Sequence, residues 1–142
     1  MSQSRSAVCA VMAGAIMFAV GALFHLVIPV IAPSIPPQFE NAALFRRWEG
    51  WTRNYMAIHP FGFGVVFATV YLVLLGRGGV TPGWRDGILY GLGVFLVGSL
   101  PVFLLAFASF NLTPEIIVSW VAQNVCQYTA AGLAIGLVAR RA

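Results

Sequence analysis

The sequence predicts an all-α membrane protein: four transmembrane helices in an antiparallel bundle, with a short interfacial amphipathic helix in the first outer loop. Three observations carry that expectation. Only 8% of the 142 residues are charged and 60% are hydrophobic, whereas a soluble domain is about 25% charged. Four apolar runs each reach the roughly 20 residues that a spanning helix needs. Every charged residue falls outside those runs.

The composition argues against a soluble globular enzyme, a disordered chain and a nucleic-acid binder. The net charge of +4 comes from arginine alone, because the chain has no lysine. Without lysine there is no Schiff base, so a retinal or pyridoxal phosphate linked in that way is excluded. Cys9 and Cys126 form no CxxC pair, which disfavours dithiol exchange. Their different expected depths also disfavour a disulfide between them.

The first run extends from Ala7 to Ala32, the second from Met56 to Gly76, the third from Gly87 to Phe110 and the fourth from Ile116 to Ala139. Lipid offers the backbone no hydrogen bonds, and runs without alternation suit helices rather than a barrel. The first run exceeds the 7–15 residues or so of a secretory h-region, so it reads as a retained helix. The whole chain, residues 1–142, then forms one membrane domain.

Arginine placement proposes an orientation. Arg5, Arg77, Arg85, Arg140 and Arg141 fall on one side of a four-span arrangement, and Arg46, Arg47 and Arg53 on the other. The more basic side tends to be cytoplasmic. Both termini are therefore expected in the cytoplasm, in a bacterial-type inner membrane. Loop 33–55 and the short loop Asn111–Thr113 are then external. Thr113 suits an N-cap, Pro114 the first helical position and Glu115 the positive helix end, so the third and fourth spans form a tight hairpin.

The first outer loop opens with Pro33-Ser34-Ile35-Pro36-Pro37, which reads as an extended linker. Beyond it, Leu44, Trp48, Trp51 and Tyr55 recur at helical spacing, with Arg46, Glu49 and Arg53 opposite. That pattern predicts the interfacial helix. Its aromatic residues suit an anchor at the membrane surface. The sharper alternative is a lid over the bundle, in which Arg46, Arg47 or Arg53 meets an anionic ligand.

Small residues recur at four-residue spacing. Ala10, Gly14 and Gly21 mark the first span, Gly87, Gly91 and Gly98 the third, and Gly132 and Gly136 the fourth. Such stripes allow close helix approach and cluster toward the inner ends. The outer half differs. Trp120, Gln123, Asn124 and Gln127 fall within one arc of the fourth span, and amides exposed to lipid are costly. His25 and His59 lie at similar outer depths. Together these six residues are the candidate lining of an outward-facing polar pocket, helped by the helix-opening prolines Pro29, Pro60 and Pro101.

The expected role is non-enzymatic: a binding or assembly subunit that takes a lipid-like molecule or other membrane subunits as partners, besides the bilayer. The amides could equally act as interhelical glue. Proton-coupled export is disfavoured, because the first span holds no carboxylate. No resident cofactor or metal is expected. The alternative is a small membrane redox protein or transferase, with haem b held between His25 and His59, since imidazole is a standard axial ligand. Size and layout resemble in outline the membrane glutathione-transferase and eicosanoid-metabolism family. That family's Arg, Asn and Glu pattern is absent at the needed spacing, and no catalytic role is carried over.

Overall fold

The computed structural model describes residues 3–41, 43–46, 49–78 and 83–140. All regular structure in them is helical. Helix α1 is Gln3–Ile31, α2 is the short Pro36–Phe39, α3 is Trp51–Gly78 and α4 is Trp84–Val94. A π-helical turn, Phe95–Ser99, joins α4 to α5, Leu100–Ser109, and α6 is Pro114–Arg140.

Two helical stretches are long and apolar enough to cross a membrane: Ser6–Ile31 and Trp84–Ser109. The second is only 11% buried, and Val97 on it is 82% exposed. Exposed apolar surface of this extent marks a site of contact with a protein partner or a membrane. The stretch Ile58–Leu74 of α3 is apolar but shorter, and α6 carries too many polar groups to qualify. Among the described residues no charged side chain is buried, whereas the Tyr71 hydroxyl and Thr129 Oγ1 are buried without a hydrogen-bond partner.

Two helix pairs pack antiparallel. Phe18 stacks on Phe61, and Gly14 meets Phe61 and Gly64, so α1 and α3 run antiparallel. Likewise Gly87 faces Gly132, Gly91 faces Tyr128, and Phe103 faces Trp120. Partners step backward along α6 as they step forward through α4 and α5. A Cβ on Gly87 would collide with the Gly132 carbonyl oxygen, and one on Gly91 with that of Tyr128. The predicted seam therefore lies at Gly87, Gly91, Gly132 and Gly136. It stops before Gly98, which has nothing within 4 Å of its Cβ direction.

The core gathers Cys9, Ala13 and Met17 from α1, Phe67, Ala68 and Tyr71 from α3, and Tyr128, Ala131 and Ile135 from α6. Tyr90 donates to the Phe67 carbonyl oxygen at 2.7 Å. Ser99 Oγ and the Tyr128 hydroxyl share a 2.8 Å hydrogen bond. Cys9 is buried in this core, while Cys126 is exposed on α6.

The prolines act unequally. α1 runs through Pro29 and α3 through Pro60 without a break. Pro101 sits at the start of α5, directly after the π-helical turn. Its missing N–H removes one rung of the ladder, and the widened turn takes up the misfit.

Two expectations about the first loop are corrected. Pro36-Pro37 is not an extended linker: it opens α2, where fixed φ and a missing N–H suit the first helical turn. Among the described residues between 43 and 50 none is helical, and α3 begins only at Trp51. Residues 43–46 form a turn and bend, Trp48 lies outside the described residues, and Gly50 adopts φ +55°. That left-handed residue breaks the periodic stretch. Trp51 and Tyr55 instead form the first turns of α3, stacked edge to face with ring centroids 6.5 Å apart. Thr52 fixes the start: its hydroxyl lies 2.7 Å from the Glu49 carbonyl oxygen and 3.0 Å from the Glu49 amide nitrogen.

Candidate functional site

A cavity of about 920 Å³ opens at the end of the molecule that carries segment 32–50. It begins where the packed core stops. Gly21 marks the boundary on α1, since a Cβ there would lie 2.8 Å from Gln127 Nε2 and 3.4 Å from Gln123 Nε2. Above Gly21, His25, Ile28 and Pro29 form the α1 wall. Their three- and four-residue spacing puts them on one face of the helix.

α6 supplies the facing wall with Ser119, Trp120, Gln123, Asn124 and Gln127. These residues cover about 12 Å along the axis at 1.5 Å per residue. The amides are not equivalent. Gln127 Nε2 donates to the Met17 carbonyl oxygen at 2.8 Å, tying α6 to α1. Asn124 Nδ2 donates to its own helix, at the Trp120 carbonyl oxygen, at 3.0 Å. The glue role thus applies to Gln127, whereas Asn124 bonds to no other helix among the described residues. Gln123 makes no hydrogen bond among the described residues and is half-buried.

His59 comes from the start of α3, where its ring stacks on Tyr55 at 5.9 Å with planes 20° apart. His25 and His59 are both exposed and line the same cavity. Among the described residues no three His, Cys, Asp or Glu side chains are grouped to hold a metal ion.

The remaining wall is aromatic. Trp120 is edge-on to Phe45 at 6.1 Å, tilted against Phe39 at 6.4 Å and against Phe103 at 5.9 Å. Phe39 and Phe45 are themselves 5.2 Å apart. All four rings line the cavity and are half-buried. Glu40, Arg46 and Glu49 reach it from the same segment and are exposed. The segment is anchored from across the molecule, where the Thr113 hydroxyl donates to Gln38 Oε1 at 2.5 Å. Thr113 was expected to cap α6 with that hydroxyl. Thr113 does hold the N-cap position before Pro114, and its carbonyl oxygen receives the Ile116 and Ile117 amides at 3.2 and 3.4 Å, but its hydroxyl serves Gln38 rather than the α6 backbone.

The structure thus brings His25, His59, Trp120, Gln123, Asn124, Gln127 and Arg46 to one cavity. Arg47 lies outside the described residues, as does the side chain of Arg53. Sequence reasoning missed Phe39, Phe45, Phe103 and Glu40. Phe103 was accessible from the hairpin, since folding back through residues 110–113 sets it near Trp120. The loop residues had no such signal. No protein-family model matches the chain, and no curated protein or solved structure in the comparisons matches it either.

Proposed function

We propose that this protein is a multi-pass inner-membrane protein of four spans, with both termini cytoplasmic, and that its outward-facing cavity binds a lipid-like amphipathic molecule. α3 and α6 are the third and fourth spanning helices in this reading, beside the two that are long and apolar enough on their own. The polar groups of α6 then face the cavity rather than lipid. The role is binding or assembly rather than catalysis.

The observation that carries the reading is the lining itself. One cavity of about 920 Å³ combines amides, two imidazoles and an aromatic wall. Ligand pockets are concave, of roughly 300–1,000 Å³, and largely apolar with a few convergent polar groups. An amphipathic molecule satisfies both kinds of surface. The test is native mass spectrometry of the protein purified in mild detergent. The expected result is a retained adduct of lipid mass, weakened by Gln123→Leu. A bare chain that binds no added amphipath overturns the reading. Reporter fusions at the C-terminus test the orientation, and an external C-terminus would reverse it.

A second reading has its own observation: His25 and His59 line one cavity from different helices. Haem b ligated by both would give a Soret band, abolished by His25→Ala or His59→Ala. A colourless protein that takes up no added haemin removes this reading.

A further inference from the structure

The glycine seam and the π-helical turn compete for one helix face. At about 100° per residue, Gly87, Gly91 and Gly98 of an unbroken α-helix would fall within about 40° of one another. Gly87 and Gly91 touch α6, yet Gly98 is exposed and meets nothing within 4 Å among the described residues. The turn Phe95–Ser99 explains the difference. Its extra residue is marked by the Leu100 amide, which donates to the Phe95 carbonyl oxygen. Everything beyond the turn is set back by about 100°. Ser99 therefore stands where Gly98 would, and Phe103 where Val102 would. Ser99 Oγ and the Tyr128 hydroxyl are 2.8 Å apart, and Phe103 lines the cavity against Trp120, whereas Val102 is 59% exposed.

The same residues have an unbroken helix as their alternative. Gly87 meets Gly132 and Gly91 meets Tyr128. The same antiparallel step, carried on, sets Gly98 opposite Val121, beside the cavity residues Trp120 and Asn124. The missing side chain would again let backbones touch, and α5 would lie over that side of the cavity. We propose that the π-helical turn is a register switch for the cavity: with the turn present the cavity is open, and with the turn resolved into α-helix Gly98 joins the seam and α5 closes on α6. Pro101 favours the open form, because in an α-helix its ring clashes with the Val97 carbonyl. The bond between Ser99 and Tyr128 favours it too, whereas the longer seam favours the closed form. Bound amphipath holds the turn open. This inference rests on the binding role proposed above and supplies its regulation.

The experiment has two readouts in maltoside micelles. Phe103→Cys and Val102→Cys, each with Cys126→Ser to remove the exposed thiol, are labelled with a water-soluble maleimide, which reports the position that faces the cavity. Palmitoyl-lysophosphatidylcholine bound to chains with residues 102 and 103 unchanged is counted by native mass spectrometry. Position 103 is expected to label several-fold faster than 102. Pro101→Ala is expected to reverse that order and to weaken lipid binding roughly tenfold, because only the open fraction binds. Adding Gly98→Ala should restore both, since a Cβ there has space in the open form and would meet α6 backbone in the closed one. Adding Gly93→Ala instead should restore neither. Ser99→Ala should act in the same direction as Pro101→Ala, more weakly, and serves if the proline variant fails to fold.

An unchanged labelling order in Pro101→Ala and Ser99→Ala overturns the switch and leaves the binding role standing. So does weaker binding that Gly98→Ala fails to rescue, which would make Pro101 a merely structural residue. A labelling order that reverses and is rescued, with no lipid bound by any chain, supports the switch and removes the binding role.

Discussion

Gln127 Nε2 donates to the Met17 carbonyl oxygen at 2.8 Å, and Gly21, one turn along α1 from Met17, leaves the space for it. The bond lies where the packed core gives way to the cavity. Gly21→Ala sets a Cβ 2.8 Å from Gln127 Nε2, so the amide must move and the bond is lost. The expected destabilisation is about 1 kcal/mol. Thermal unfolding in detergent checks it. In the double variant with Gln127→Ala, the two effects should not add, because both remove the same bond.

The glycine seam between α4 and α6 predicts a steeper response. A Cβ at Gly87 or Gly132 meets backbone of the opposite helix, and backbone cannot swing aside as a side chain can. Gly87→Ala and Gly132→Ala are each expected to cost about 1–3 kcal/mol. Gly93 has nothing within 4 Å, so Gly93→Ala should be neutral, or stabilising by up to about 1 kcal/mol through helix propensity. Equal unfolding temperatures for Gly87→Ala and Gly93→Ala would contradict the close approach.

Much of this was legible in the sequence, for reasons tied to particular residues. Small residues four apart announce where helices touch, because a missing side chain has few other uses inside an apolar helix. The arc of Trp120, Gln123, Asn124 and Gln127 was legible because helical spacing alone sets it. The aromatic wall was not. Phe39 and Phe45 meet Trp120 beside α2, which opens at Pro36 and is bonded through Gln38 to Thr113. That contact joins residues far apart in the chain, and no local spacing encodes it. The periodic stretch around Trp48 misled because periodicity takes no account of a break at Gly50.

Gly50 gives a local prediction of its own. Its φ of +55° places it in the left-handed region, and no side chain would be crowded there, since nothing lies within 4 Å. Gly50→Ala therefore reports backbone strain alone, about 1 kcal/mol. It should loosen the junction between Glu49 and α3. Hydrogen exchange at Thr52 and the following α3 amides would rise, while exchange in α6 stays unchanged.

The tie between Thr113 and Gln38 predicts how the cavity wall holds its shape. Phe39 and Glu40 follow Gln38 directly, so whatever fixes Gln38 also fixes part of the ring wall and one of its carboxylates. Gln38 has a second anchor, since its Nε2 donates to the Ser34 carbonyl oxygen at 2.9 Å. Thr113→Val removes the hydroxyl at nearly constant volume, leaving Gln38 with that local bond only. At about 1 kcal/mol for one hydrogen bond, local opening becomes roughly fivefold more frequent. Amide exchange over residues 38–45 should rise by about that factor, with the α4–α6 seam unaffected, because its contacts are distant from the loop. The variant should also bind amphipath more weakly, mainly through faster release. Unchanged exchange in 38–45 would mean that the wall is held by its ring contacts with Trp120 rather than by the loop-to-loop bond, and Trp120→Leu would then be the variant that loosens it.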